Sequence, residues 1–322
     1  MEKKRFDVAA LGELLIDFTE NGLSGQGNTL FEANPGGAPC NVLAMLARLG
    51  RRTAFLGKVG GDIFGRQLRE TIRAAGIDDT GLVLDQAAHT TLAFVQNAPD
   101  GDRAFSFYRD PGADELLRPE ELPAAVLDQA RIFHFGSLSL TREPVRSATR
   151  TALARAKAGG AVVSFDPNLR PNLWKSLDDA RREMLWGCTL CDVLKVAEEE
   201  LAFLTGQEGI EAGAAAIGQK YPNIRLLLVT RGARGSVAFS GGQRAAHPGY
   251  PVHAVDTTGA GDTFCGCCLH YILEHGLEGL DQGALEEMLR FANAAAGLVT
   301  TRKGAIRSMP AGEDVLRLMK EE

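Results

Sequence analysis

The stretch Val255-Asp256-Thr257-Thr258-Gly259-Ala260-Gly261-Asp262-Thr263-Phe264 is the part of the chain whose residue types and spacing most plainly suit chemistry. Gly259, Ala260 and Gly261 stand where a helical pattern begins, and backbone N–H groups at such a start can cradle an anion. Only small residues let an anion approach that closely. Asp262 follows at once, and a carboxylate beside an anion site suits a hydroxyl acceptor better than the anion itself. In phosphoryl transfer such an aspartate accepts the hydroxyl proton while backbone dipoles hold the transferring group. The same residues also fit a plain helix start, in which Asp262 favours the first turn and the glycines make a bend.

Other polar clusters could serve the same site. Asp166, Asn168 and Arg170 leave an apolar run within FDPNLRPNLW, and Gly36-Gly37 precede a helical pattern bearing Asn41. Turns and caps use the same residues. Asp17 interrupts the apolar run LLIDF and points either to solvent or to a hydroxyl-rich ligand. Thr230, Gly232 and Gly235 fall in the turn of LLLVTRGARGS, a weak signal alone. There is no P-loop, no dinucleotide fingerprint, no zinc-protease spacing and no serine elbow. Six cysteines, Cys40, Cys188, Cys191, Cys265, Cys267 and Cys268, read as small hydrophobes rather than metal ligands or disulfides.

These residues need a scaffold. Apolar strand runs at 5–12, 52–60, ARIFHFG, AVVSFDP, DVLKVA and RLLLVTRG alternate with helical patterns such as 41–50, 63–76, 260–275 and 283–301. That alternation predicts an α/β fold, a mostly parallel sheet with helices on both faces, and ligands at the carboxyl ends of its strands. Residues 13–35 and 90–109 instead read as antiparallel ribbons, the second turning at Asp100-Gly101, and predict a small lid beside the sheet. One catalytic domain over 1–322 is expected, with the lid inserted in it.

The net charge of −6 argues against nucleic acid and anionic membranes as partners, because both select basic surfaces. No apolar run is long enough to span a bilayer, and the start reads as a polar tail before the first strand, so a cytoplasmic protein is expected.

Together, VDTTGAGDTF, PGGAPCNVLAMLARLG and GKVGGDIFG resemble the signatures of the ribokinase-like (PfkB) family of sugar kinases, in order along nearly the whole chain. Within it the resemblance is nearest to fructokinases, through FSFYRDPGADELL, FDPNLRPNLW and VLKVAEEELAFLTG. It implies a Rossmann-like αβα sandwich with a β-sheet lid, and transfer of a phosphoryl group from ATP, with Mg²⁺, to a sugar hydroxymethyl group. D-fructose is the leading acceptor. The alternatives are 2-keto-3-deoxygluconate, or a non-catalytic sugar-binding or regulatory protein on the same scaffold. Carried over by motif, Asp262 is the base and Gly259, Ala260 and Gly261 form the anion hole. Asp17, Gly36, Gly37, Asn41 and Asp262 contact the sugar, with Arg109, Asn168 and Arg170 closing the pocket. Lys195, Glu200, Thr230, Gly232, Gly235, Gly261 and Asn293 border the nucleotide. A monovalent cation, K⁺, is implied at Asp256, Thr258, Val299, Arg302, Gly304 and Ser308. The family's N-x-x-E motif departs here, with Ala197 in place of its asparagine and Glu200 retained. A homodimer through the lids is expected, because a lid sheet with an exposed apolar face calls for a partner.

Overall fold

The computed structural model describes residues 4–97 and 103–321, so the expected Asp100-Gly101 turn lies outside the described residues. The strands are β1 (Phe6–Leu11), β2 (Leu15–Leu23), β3 (Thr29–Gly36), β4 (Thr53–Gly60), β5 (Ile77–Asp85), β6 (Leu92–Asn97) and β7 (Arg103–Tyr108). After them come β8 (Ala130–Gly136), β9 (Val162–Asp166), β10 (Val193–Ala197), β11 (Leu226–Thr230), β12 (Ser236–Ser240) and β13 (Gln243–His247).

Among the described residues, nine strands form one sheet in the order β13-β12-β11-β10-β9-β8-β1-β4-β5. Pairings from β5 through β11 are parallel, and β12 and β13 close one edge antiparallel. A parallel strand covered on both faces is mostly apolar, and β1 is buried at all six positions of FDVAAL, with its one acid, Asp7, paired to Arg52 at the strand's start. Alternate residues of β1 feed different cores. Val8 and Ala10 join the one that holds Leu43 and Phe264, whereas Ala9 and Leu11 join the one that holds Phe133 and Leu153. The αβα sandwich is the direct result. All six cysteines are buried, and burial pushes the Cys265 and Cys188 thiols up. No described helix is long and apolar enough to cross a membrane.

The remaining four strands form a second sheet, β3-β2-β6-β7. Its two hairpins are antiparallel, as their alternation predicts, but a parallel β2–β6 pairing fuses them into one surface. Period-two alternation gives this sheet two unlike faces. Asp17 sits opposite Asn34 and Ala93, and the next residue, Phe18, sits opposite Ala33 and Phe94. Asp17 therefore faces the sandwich while Phe18 stacks on Phe94 on the other side, with ring centroids 5.0 Å apart.

Candidate active site

Between the lid and the carboxyl ends of the central strands lies a cleft of about 400 Å³. Its walls bring together Asp17, Gly37, Asn41, Asn168, Arg170, Lys195, Thr258, Gly259, Ala260, Gly261 and Asp262. These come from five separate stretches of sequence. Asn168 holds a positive φ of 48°, a conformation asparagine tolerates better than most residues and one that recurs at functional sites.

The floor is the start of the helix Ala260–His275. Gly259 occupies the N-cap with φ 79° and no side-chain cap, and the Ala260 N–H reaches back to Thr257 O at 3.3 Å. A residue with a side chain would be strained there, and its Cβ would stand 2.9 Å from the Ala305 methyl. The first turn thus presents its amides and the positive end of the helix dipole to the cleft. Asp262 belongs to the same turn and is 8% exposed. Asn41 Nδ2 donates to Asp262 Oδ2 at 2.7 Å and orients the carboxylate. Burial, and then the Asp166 charge, push Asp262 up to about 6, against the opposing pull of Asn41, Lys195 and Arg170. A carboxyl poised there is basic enough to take a proton near neutral pH.

Strand register sets the neighbouring charges. Val193 pairs with Ser164 and Leu194 with Phe165, so Lys195 and Asp166 extend side by side from β10 and β9. They form an ion pair at 2.9 Å with both side chains buried. Lys195 Nζ lies 3.0 Å from where a Cβ on Gly261 would sit, directly against the amide cradle. Burial alone would lower the Lys195 pKa, but Asp166 and Glu200 outweigh it and hold the lysine above its usual range. Glu200 is the third residue of its helix, and its oxygens accept from Ala197 N at 2.8 Å and Leu169 N at 2.6 Å. It fastens the 167–170 loop to that helix instead of lining the cleft.

On the lid side, Asp17 is pushed up to about 7, first by burial and then by Asp256 and Asp262, with Arg170 opposing. Gly36 leaves room for its carboxylate, since a Cβ there would come within 2.6 Å of Asp17 Oδ2. Arg109 does not close the pocket as the motif implies. Its guanidinium is buried behind the wall, bonded through Nε to Asp114 at 2.8 Å and through Nη2 to Leu138 O at 3.1 Å. The two acids that follow, Asp114 and Glu115, draw it inward. Conversely, sequence patterns missed Glu13, which lines the cleft and accepts the Ala38 N–H at 2.8 Å. Burial raises it to about 7. The signal was available, since Glu13, like Asp17, is a lone acid in an apolar run.

The residues assigned to the nucleotide lie one strand beyond Lys195. Thr230 pairs with Ala197 at the end of β11, and Gly232 and Gly235 hold positive φ in the following turn. Gly235 has a packing reason as well, because a Cβ would meet His247 O at 2.0 Å. Asn293 is buried and donates to Ser236 Oγ and Leu289 O, each at 2.7 Å. That amide braces the Gln282–Val299 helix against β12.

The cation residues converge in part. Asp256 Oδ1 accepts from Thr258 N and Oγ1, and Asp256 Oδ2 accepts from Gly304 N at 3.0 Å. Ser308 Oγ donates to Lys303 O within the same loop, and Arg302 N meets Val299 O at 3.4 Å. A carboxylate, hydroxyls and backbone carbonyls make an all-oxygen donor set, which fits a hard cation.

The model of the pfkB family of carbohydrate kinases matches residues 5–312. Fructokinase-1 of Oryza sativa subsp. japonica is 46% identical over 315 residues, covering 97% of each chain. A Xylella fastidiosa fructokinase structure with bound ATP superposes with a TM-score of 0.89 at 36% identity, covering 98% of each chain. A Vibrio cholerae O395 fructokinase double mutant, bound to fructose, ADP and potassium ion, gives a TM-score of 0.87 at 33% identity, covering 99% of this chain and 100% of that one. With its fold and nearly all of its length matched in this way, the chain belongs to the pfkB family of carbohydrate kinases.

Proposed function

We propose that this kinase transfers the γ-phosphoryl group of ATP to the 6-hydroxyl of D-fructose. The observation that carries the reading is Asp262, a buried carboxyl raised to about 6 at the mouth of an uncapped helix start. In the reaction the carboxylate takes the hydroxyl proton, the sugar oxygen bonds to the γ-phosphorus, and the bond to the ADP oxygen breaks. The amides at 259–261, backed by Lys195, meet the charge that develops on the transferring group. Asp17, Asn41 and Arg170 hold the sugar, while the lid keeps water from competing for the phosphoryl group.

The relatives' names support fructose and ATP as substrates. An acid such as 2-keto-3-deoxygluconate fits less well, because Glu13, Asp17 and Asp262 all face the cleft and Arg109 is sequestered behind it. A non-catalytic role leaves the oriented, basic carboxyl without purpose. Mg²⁺ would accompany ATP, with Glu200 reaching it through water while its oxygens keep their backbone partners. K⁺ would occupy the loop of Asp256, Thr258, Gly304 and Ser308, next to the cradle; potassium in the Vibrio cholerae structure supports that reading. One assay addresses substrate and cation together: ADP release over fructose, 2-keto-3-deoxygluconate, ribose and a nucleoside, in potassium or tetramethylammonium chloride. Fructose with potassium should give the highest kcat/KM. A better acid substrate would remove the fructose reading, and equal rates in both salts would remove the cation.

The lid's outer face supports a homodimer. Phe31 and Tyr108 each pack edge-on to Phe94 at 5.5 and 5.3 Å, and they remain 41% and 67% exposed. Leu23, 65% exposed, extends this apolar surface. A self-complementary lid pairing would cover it. Light scattering should give twice the chain mass, falling to one chain with Phe31→Asp; a wild-type monomer at assay concentration contradicts the pairing.

A further inference from the structure

Asp166 is absent from the cleft wall, yet it is the close ionic partner of Lys195, which lines it. Three carboxylates compete for the Lys195 ammonium: Asp166, Glu200 and Asp262. The Glu200 oxygens are engaged by Ala197 N and Leu169 N. Pairing with Asp262 would be self-defeating, because it would neutralise the base and draw the ammonium off the cradle. Asp166 stands on the adjacent strand in register with Lys195 and is 2% exposed, so its direction is fixed by the sheet and not by a mobile loop. Gly136, its neighbour in register on β8, adds no side chain to crowd the pair.

We propose that Asp166 is a positioning residue for phosphoryl transfer: it holds the Lys195 ammonium beneath Gly261 and away from Asp262. The inference deepens the kinase reading and rests on it. Lys195 is the group set against the transferring phosphate, and Asp166 acts by placing it; the Asp166 charge also raises Asp262, an influence that falls away at a pH where Asp262 is fully ionised. Displacing such a group by about an ångström is enough to slow chemistry on the order of 100-fold. Because Asp166 does not reach the cleft, its loss should leave sugar affinity alone.

The test is a double-mutant cycle with Asp166→Asn, Lys195→Met and the combined variant, followed by steady-state kinetics, Mg²⁺ titration and thermal unfolding. Asp166→Asn should lower kcat about 10- to 100-fold, with KM for fructose within about twofold of wild type and the Mg²⁺ midpoint unchanged. At pH 8, where Asp262 is ionised with or without the Asp166 charge beside it, the combined variant should be no slower than Lys195→Met. Asp166→Glu, which keeps the charge, should recover part of the rate. Losses that multiply in the combined variant would overturn the proposal by giving Asp166 an independent role. A raised Mg²⁺ midpoint in Asp166→Asn would overturn it by making the residue a metal contact. Unfolding of both Asp166→Asn and Asp166→Glu would overturn it by making the role structural. Wild-type enzyme that prefers another sugar strikes the fructose reading alone, and the cycle is then read on that sugar. Wild-type enzyme inactive on every sugar overturns both.

Discussion

Asp262→Asn should bind fructose and ATP with near wild-type affinity and turn over about 10³-fold more slowly. The amide is the same size as the carboxyl and can still accept the hydrogen bond that Asn41 Nδ2 donates, so the helix start keeps its shape. What disappears is the proton acceptor for the sugar hydroxyl. Calorimetric fructose binding beside coupled ADP release separates the two effects, and wild-type turnover by this variant would remove Asp262 as the base. The wild-type pH profile carries the same sign. Burial raises Asp262 to about 6 and Asp17 to about 7. Both groups work as carboxylates, so kcat/KM should climb as pH rises from 5 to above 7, with apparent values that belong to the coupled pair. The linked effect on the empty enzyme runs the other way. A carboxyl raised by folding stabilises the native state at low pH, and that contribution is lost as pH rises through 6 to 7. The site's basicity therefore comes at a cost in stability at the pH where it works.

Gly37→Ala should be the most damaging single methyl among the glycines that line the cleft. Gly37 has φ 131°, and a Cβ there would stand 2.3 Å from Glu13 O, with Glu13 C and Leu14 Cα both at 3.1 Å. All three obstacles are backbone, so no side chain can swing aside. The strained conformation alone costs about 1–3 kcal/mol. The overlap adds to this by forcing the Gly36–Ala38 turn away from β2. That turn launches the helix carrying Asn41, and Glu13 pins it through Ala38 N. Asn41 should therefore lose its hold on Asp262. Expected are a melting temperature lower by on the order of 5 °C and kcat/KM lower by about 100-fold or more. Gly50→Ala is the control. It also holds a positive φ, 78°, but has open space around it, so it should cost about 1 kcal/mol and leave catalysis unchanged. Equal behaviour of the two variants would show that the contact with Glu13 does not set the effect.

The parallel strands at the centre of the sheet are legible because burial on both faces writes them as mostly apolar runs, as in β1, broken only at Asp7, and β4, broken at Thr53 and Lys58. Edge strands are not. β5 (IDDTGLVLD) and β13 (QRAAH) face solvent on part of their surface, and their acids and arginine hide the strand pattern. The helices Leu177–Cys188 and Ile210–Lys220 also escape a coarse reading: one carries arginines through its middle, and the other is largely alanine and glycine. At the site, VDTTGAGDTF announces its chemistry because close anion approach demands small residues and a base demands a carboxylate. Arg109 misleads because a motif fixes position in the chain but not the direction of the side chain. Its destination depends on Asp114 and Glu115, which capture it. The pairing of Asp166 with Lys195 depends on the register between two strands, and no local pattern in either strand states that register.

The most direct measurement is to identify the product by ³¹P and ¹³C nuclear magnetic resonance after incubation with ATP, Mg²⁺ and fructose. Asp262 as base at the cleft predicts one fructose 6-phosphate for each ADP. ADP without phosphosugar would mean that the lid fails to exclude water, and phosphate on another hydroxyl, or no ADP at all, would contradict the assignment of the 6-hydroxyl to Asp262.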